Sequence, residues 1–237
     1  MRLGERLRPP GDGGPAPAGT LLGRAVGEVG TVGGRAAVAH HLTRDGRGRT
    51  LNPASPTKNR DTKTAEQTEI TYTDGTLRIH TPEPHNQLLG HPGSVEITIQ
   101  LPAGSHIEAK TAAAELRAVG RPGDITFDGA YRHTKIDEAA GVRLTATDSD
   151  IEIGRLTGPA QITTARGTIR ITEAVTGTLD LRTQSGDVTV GAATGISAAL
   201  DASTGYGRIN NTLKNDGTTK LNIRATTSHG DITAHSL

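Results

Sequence analysis

Cysteine is absent from this 237-residue chain, and so is tryptophan. The first absence excludes disulfides, thiolate metal sites and a cysteine nucleophile. The second belongs to a wider shortage, because one phenylalanine, Phe127, and three tyrosines, Tyr72, Tyr131 and Tyr206, are the only large rings. A globular enzyme of this length normally carries several times more aromatic side chains to fill a thick core. A thin core lined by Val, Ile, Leu, Ala and Thr is the alternative. Solenoid hydrolases of polysaccharides use paired carboxylates with aromatic sugar platforms, and single-strand nucleic-acid binders stack bases on rings. Both classes are poorly served here.

Charge of one sign is missing as well. The 26 Lys and Arg balance 25 Asp and Glu, a formal net charge of +1. No global field recruits nucleic acid or an anionic membrane. No apolar run approaches the roughly 20 residues of a membrane-spanning helix. The opening residues, MRLGERLRPPGDGG, carry arginines with no apolar stretch behind them. They do not read as a secretory signal, so a soluble, cytoplasmic protein is expected.

Residues 1–60 are rich in Gly, Pro, Ala and Arg without a period of 2 or 3.6. Such a segment buries too little apolar surface to offset its ordering entropy and is expected to be disordered. Gly27, Gly30 and Gly33 suggest a phosphate loop, but no strand or helix is evident around them to form one. Residues 61–111 read as amino-terminal strands. TEITYT and TLRIHT flank Asp74-Gly75, a strong hairpin signal because a type I′ turn needs positive φ twice. SVEITIQL (94–101) and SHIEAKT (105–111) come next.

From 112 to 237 one short phrase recurs: RPGDITF, TDSDIEI, TARGTIRI, TQSGDVTV and TSHGDITA. Leu144, Ile162, Leu181, Leu200 and Ile223 mark the strand before each turn, at intervals of 18, 19, 19 and 23. Ile151, Ile169, Val188, Ile209 and Ile232 mark the strand after it. A period near 20 that already holds two strands and two turns leaves no room for a helix. Units of this kind stack in parallel about 4.8 Å apart. The expected fold is all-β: a single-chain parallel β-solenoid of about five to six two-strand coils behind a β-hairpin cap. Leu144, Ala146, Ile151, Ile153, Ile162, Thr164, Ile169, Ile171, Leu181, Thr183, Val188 and Val190 should point inward. One coil alone buries too few apolar groups to be stable, whereas a stack shares a continuous core.

Several residues invite a chemical reading. Asp124, Asp150, Asp187 and Asp231 recur at the corners and would form a rough column, a cation ladder in principle. Thr168 and Arg208 interrupt that column, and Gly-Asp is an ordinary turn former. A structural turn is the expected role. His80, His85 and His91 with Glu83 surround the loop 82–93 but match no zinc spacing. His40-His41 lies in the segment expected to be disordered, and His106, His133, His229 and His235 fall on different coils. Ser149 with Asp150, and Ser185 with Asp187, lack a histidine on a neighbouring rung. Tyr131-Arg132-His133 is the densest cluster of functional types and could bind an anion, although Tyr131 covering a coil is the simpler role. No catalytic, metal or cofactor-binding residue is assigned.

The combination of TKTAEQTEITYTDGTLRI, VEITIQLPAGSHIEAKTAAAELRAVG, the repeated S-G-D-V-T-V corners and a closing SHGDITAHS resembles a bacterial family of β-strand-repeat proteins. That family carries the label adhesin and is a domain class of unknown function. The resemblance covers about residues 51–237 and implies a β-solenoid with no established catalytic residues. It also implies a link to the cell envelope, since some relatives accompany envelope stress systems. Residues 1–50 depart from the family pattern, in which another strand pair comes first.

The expected function is therefore a non-catalytic scaffold or protein-binding module with an unknown protein partner. The alternatives are a surface adhesin for carbohydrate or protein, and an enzyme using the Tyr131–His133 or His80–His91 cluster. GDITAHS, at the carboxyl end, is expected to leave an unpaired strand edge and to support end-to-end self-association. Proline at Ile232 should then block it.

Overall fold

The computed structural model describes residues 19–26, 31–33, 49–53, 66–73, 76–80 and 95–237. Among the described residues the architecture is all-β, with 17 strands joined in one hydrogen-bonded sheet. Six short strands come first: Gly19–Val26 (β1), Thr31–Gly33 (β2), Arg49–Pro53 (β3), Glu69–Thr73 (β4), Thr76–His80 (β5) and Val95–Leu101 (β6). Three long strands, His106–Gly120 (β7), Asp124–Ala139 (β8) and Gly141–Leu156 (β9), then run in parallel beside one another.

Each remaining turn of the coil breaks at its corner into two strands. These pairs are Ala160–Arg166 with Ile169–Ala174 (β10, β11) and Gly177–Ser185 with Val188–Ala192 (β12, β13). Ala198–Tyr206 with Ile209–Thr212 (β14, β15) and Leu221–His229 with Ile232–Ser236 (β16, β17) complete the set. Three long strands and four pairs make seven rungs. The first rung begins at His106, within the segment expected to hold only amino-terminal strands.

Alternation along each rung builds the core. Leu144, Ile153, Ile162, Ile169, Ile171, Leu179, Leu181 and Val188 are all buried to within 1% of complete. Their sequence neighbours Arg143, Glu152, Arg170 and Arg182 are exposed. Every residue expected to point inward is buried. Partners in the stack are alike: Leu144, Ile162 and Leu181 lie side by side, as do Ile151, Ile169 and Val188. Each such side chain contributes roughly 1.5–3 kcal/mol on burial, and the inward side chains join one continuous cluster.

The rungs do not stack in chain order. β12 and β13 pair with β16 and β17, and these in turn pair with β14 and β15. The last rung in the chain is therefore next to last in space. This corrects the expected edge, because Ile232 has Val188 on one side and Ile209 on the other. Among the described residues, the strands left unpaired on one side at this end are β14 and β15. The register also corrects the expected column, since Leu181 faces Ala225 while Leu200 faces Ile223.

Asn211 supplies a physical reason for this order. It sits in register with Ala234, which faces Val190, so it occupies an inward column. An amide buried there without partners costs about 1–3 kcal/mol. At the end of the stack Asn211 stays exposed, and its Oδ1 accepts a hydrogen bond from the Leu213 N–H at 3.0 Å. Ile232 and Ala234, each 1% exposed, take the interior place. The connection 193–197 steps outward past one rung position, and 213–220 returns inward.

The other end is covered by antiparallel strands. β1 pairs with both β6 and β7, and β2 pairs with β5 and with the start of β7. β3 adds to the far side of β6, and β4 and β5 form the expected hairpin with Thr73 opposite Thr76. The expectation of disorder over 1–60 thus fails at β1, β2 and β3. Backbone pairing with β6 and β7 forms strands where apolar periodicity is weak. The strand β1 does precede the glycines at 27–33, and the next described element is the strand β2 rather than the helix a phosphate loop requires. The remaining residues of 1–60 lie outside those described.

Candidate functional site

Four of the repeated phrases, TDSDIEI, TARGTIRI, TQSGDVTV and TSHGDITA, occupy the corner within a rung, and side chains there hold one rung to the next, whereas RPGDITF joins β7 to β8. Thr183 Oγ1 donates to the Gly167 carbonyl at 3.2 Å, and Thr227 Oγ1 donates to the Gly186 carbonyl at 3.0 Å. Thr204 Oγ1 repeats the bond to Gly230 at 2.9 Å. Glycine is required at the turn itself. Gly186 has φ +149°, and a Cβ there would lie 2.1 Å from the Gly167 carbonyl oxygen.

The aspartates complete the same device. Asp150 accepts the Thr168 N–H at 2.9 Å, and Asp187 accepts the Asp231 N–H at 2.8 Å. Asp231 accepts the Arg208 N–H at 2.8 Å and both Nε and Nη2 of its guanidinium. These bonds to Arg208 hold the Asp231 carboxyl below the usual carboxylate range. The same hydrogen bond and charge push the Arg208 guanidinium up. Asp124 is not part of this column. It faces Gly141 at the opposite corner, while the column runs through His133, Asp150, Thr168, Asp187, Asp231 and Arg208.

Tyr131, Arg132 and His133 are exposed on a bulge of β8, where the register with β9 shifts around Ala130. Arg132 adopts φ 64°, a conformation rare for a residue with a Cβ. Its guanidinium lies 5.6 Å from the Tyr131 ring centroid and 3.7 Å from Glu115. The cation is thus engaged by the ring and by the neighbouring rung. Ser149 is buried, and its hydroxyl lies 3.2 Å from that of Thr134. Ser185 is exposed opposite His229, an adjacency that sequence spacing did not reveal because the rung order is permuted. Asp187 is spent on the Asp231 N–H, so no triad forms there. His229 instead stacks on Tyr206, with ring centroids 5.1 Å apart and planes 12° from parallel.

His85, His91 and Glu83 lie outside the described residues, as do His40 and His41. Their neighbour His80 is exposed on β5. Among the described residues, no three His, Asp or Glu side chains are grouped to hold a metal ion. A shallow groove of about 570 Å³ crosses five rungs on the outer face, lined by His106, Thr126, Arg143, Gln161 and Asp180 among others. It is a solvent-open groove of mixed polar and apolar lining rather than an enclosed cleft.

The last rung in space is the remaining surface of note. Tyr206 is 75% exposed and Ile209 47%, while Leu200 and Ala202 are half-buried. Among the described residues no helix is long and apolar enough to cross a membrane.

Comparison with known proteins gives a family and nothing finer. A family model described as Toastrack DUF4097 matches residues 55–236, close to the span of the β-repeat resemblance. No curated protein matches the chain, and no solved structure does. The match carries a fold and no activity, and the label adhesin is not part of it. With most of its length covered, and with the winding of parallel rungs described above, this chain belongs to the Toastrack DUF4097 family, a β-repeat domain of unknown function.

Proposed function

We propose that this protein is a non-catalytic scaffold that binds a protein partner through its exposed sheet faces. One observation carries the reading: the residues best suited to chemistry are committed to the backbone of adjacent rungs. Asp150, Asp187 and Asp231 each accept a main-chain N–H, and Thr183, Thr204 and Thr227 each donate to a corner carbonyl. A nucleophile or base tied in this way is poorly placed to act on a substrate. What remains available is area, including the groove across five rungs. Arg143 lies near its middle and is exposed.

Affinity capture from the native cells, with the wild-type chain and with Arg143→Glu, tests the reading. A protein retained by the first and lost from the second, with unchanged circular dichroism, is the expected result. Equal capture by both removes the groove as a binding face. Turnover of a substrate panel that disappears in His133→Ala would replace the scaffold with an enzyme.

A further inference from the structure

Residues 198–219 leave the stack and return to the point where they left it. The Ser197 carbonyl accepts the Lys220 N–H at 3.0 Å and the Leu221 N–H at 3.3 Å, so the two ends of the segment lie side by side. The Ala198 N–H bonds to the Lys214 carbonyl at 3.0 Å, and the Asp216 N–H bonds to the Ser197 hydroxyl at 3.0 Å, which closes the same base. We infer that this segment is a hinged cap, which opens and closes as a unit over the edge of β16 and β17 while the other six rungs stay formed. The cap is independent of the groove.

Three observations carry it. First, the stack is complete without the segment. β12 and β13 pair directly with β16 and β17, so the remaining rungs run in chain order once 198–219 is set aside. Second, the cap is held from one side. β14 pairs with β16 and β15 with β17, and a repeat with one neighbour has half the interface of an internal one. Its polar ties reach that same rung: Thr204 to the Gly230 carbonyl, Arg208 to Asp231, and the Lys214 N–H to the Ser236 hydroxyl. Third, its own burial is thin. All four residues of β15 are exposed, and in β14 Leu200 and Ala202 are half-buried, whereas Ile232 and Ala234 beneath them are each 1% exposed. Segments with few buried apolar groups open at lower free energy than the core.

The carboxyl end of the chain is the opposite case. β16 and β17 lie between two rungs, and the Leu237 N–H is bonded to the Ala192 carbonyl at 2.9 Å. Fraying from a terminus would loosen 221–237 first. The topology instead puts the least anchored rung inside the sequence. When it opens, it uncovers the backbone of β16 and β17 with Leu221, Ile223 and Ile232, each at most 2% exposed while it is closed. Bare edges of this kind pair readily with other strands, and the closed cap prevents it.

Native-state amide exchange on the full chain tests this. Residues 198–212 should exchange about tenfold or more faster than 221–236, after correction for intrinsic rates. A deletion that joins Ser197 to Lys220, directly or through two glycines, should unfold cooperatively and keep the protection of 160–192, while the protection of 221–236 falls. Equal protection of 198–212 and 221–236 in the full chain overturns the inference. So does failure of both deletion variants to fold, or a deletion that leaves 221–236 as protected as before. None of these outcomes bears on the groove, and equal capture by Arg143→Glu leaves the cap standing.

Discussion

Gly186 and Gly195 both have positive φ, at +149° and +76°, yet they should respond differently to substitution. A Cβ on Gly195 meets nothing within 4 Å, so Gly195→Ala carries backbone strain alone, about 1 kcal/mol. A Cβ on Gly186 would run into the Gly167 carbonyl of the adjacent rung, so Gly186→Ala should cost at least about 3 kcal/mol. Urea unfolding of the two variants makes the comparison, and equal losses would dismiss the close approach. Asp231 gives the pH dependence at this scale. Its pKa is depressed in the folded chain, so its contribution is present above the ordinary Asp value near ~3.9 and is lost as pH falls through the lower folded value. Exchange protection of β15, corrected for intrinsic rates, should therefore decline on acidification in the wild type. Asp231→Asn should not show that step. These corners were legible as turns from the residues alone. Asp124 was misplaced among them because RPGDITF and TQSGDVTV use the same turn chemistry at opposite corners, and only register separates them.

At the scale of the element, each rung depends on its two neighbours, so position in the stack should set the cost of a lost side chain. Ile171 is fully buried between rungs, and Ile171→Ala should cost about 2–5 kcal/mol. Ile209 has a neighbour on one side and is nearly half exposed, so Ile209→Ala should cost about 1 kcal/mol or less. Chemical denaturation decides between this gradient and a uniform cost. Period-two alternation made the strands and their inward faces readable, because each rung repeats one pattern of burial. The strands β1, β2 and β3 were not readable. Their pairing partners β6 and β7 are distant in sequence, and backbone hydrogen bonds leave no side-chain period behind. The order of the last two rungs escaped for a related reason: both fit the repeat equally well. The signal was a single residue, Asn211, in a column otherwise filled by Val190 and Ala234.

The described residues wind into seven rungs, with β1 and β2 laid against β7 at one end and β14 and β15 unpaired on one side at the other. Ion pairs tie rungs together on the outside, as in Arg155 with Glu173 at 2.6 Å and Lys135 with Glu152 at 3.3 Å. Exposed pairs of this kind contribute little stability each. Charge does favour the observed order at one place, where Arg224 lies between Asp180 and Asp201. Stacking in chain order would set those two aspartates side by side. The permuted order also moves the unpaired edge at this end from β17 to β14 and β15. Because the chain has no cysteine, introduced pairs report on it directly. Thr189 faces Thr233, and Thr233 faces Asn210, so Thr189 and Asn210 lie two rungs apart, about 10 Å. A disulfide needs Cα atoms within about 7 Å. Oxidation of Thr189→Cys/Thr233→Cys should give a cross-linked chain in high yield, and Thr189→Cys/Asn210→Cys should stay reduced. The reverse outcome would mean that the rungs stack as they are written, and that the carboxyl-terminal strand is the edge.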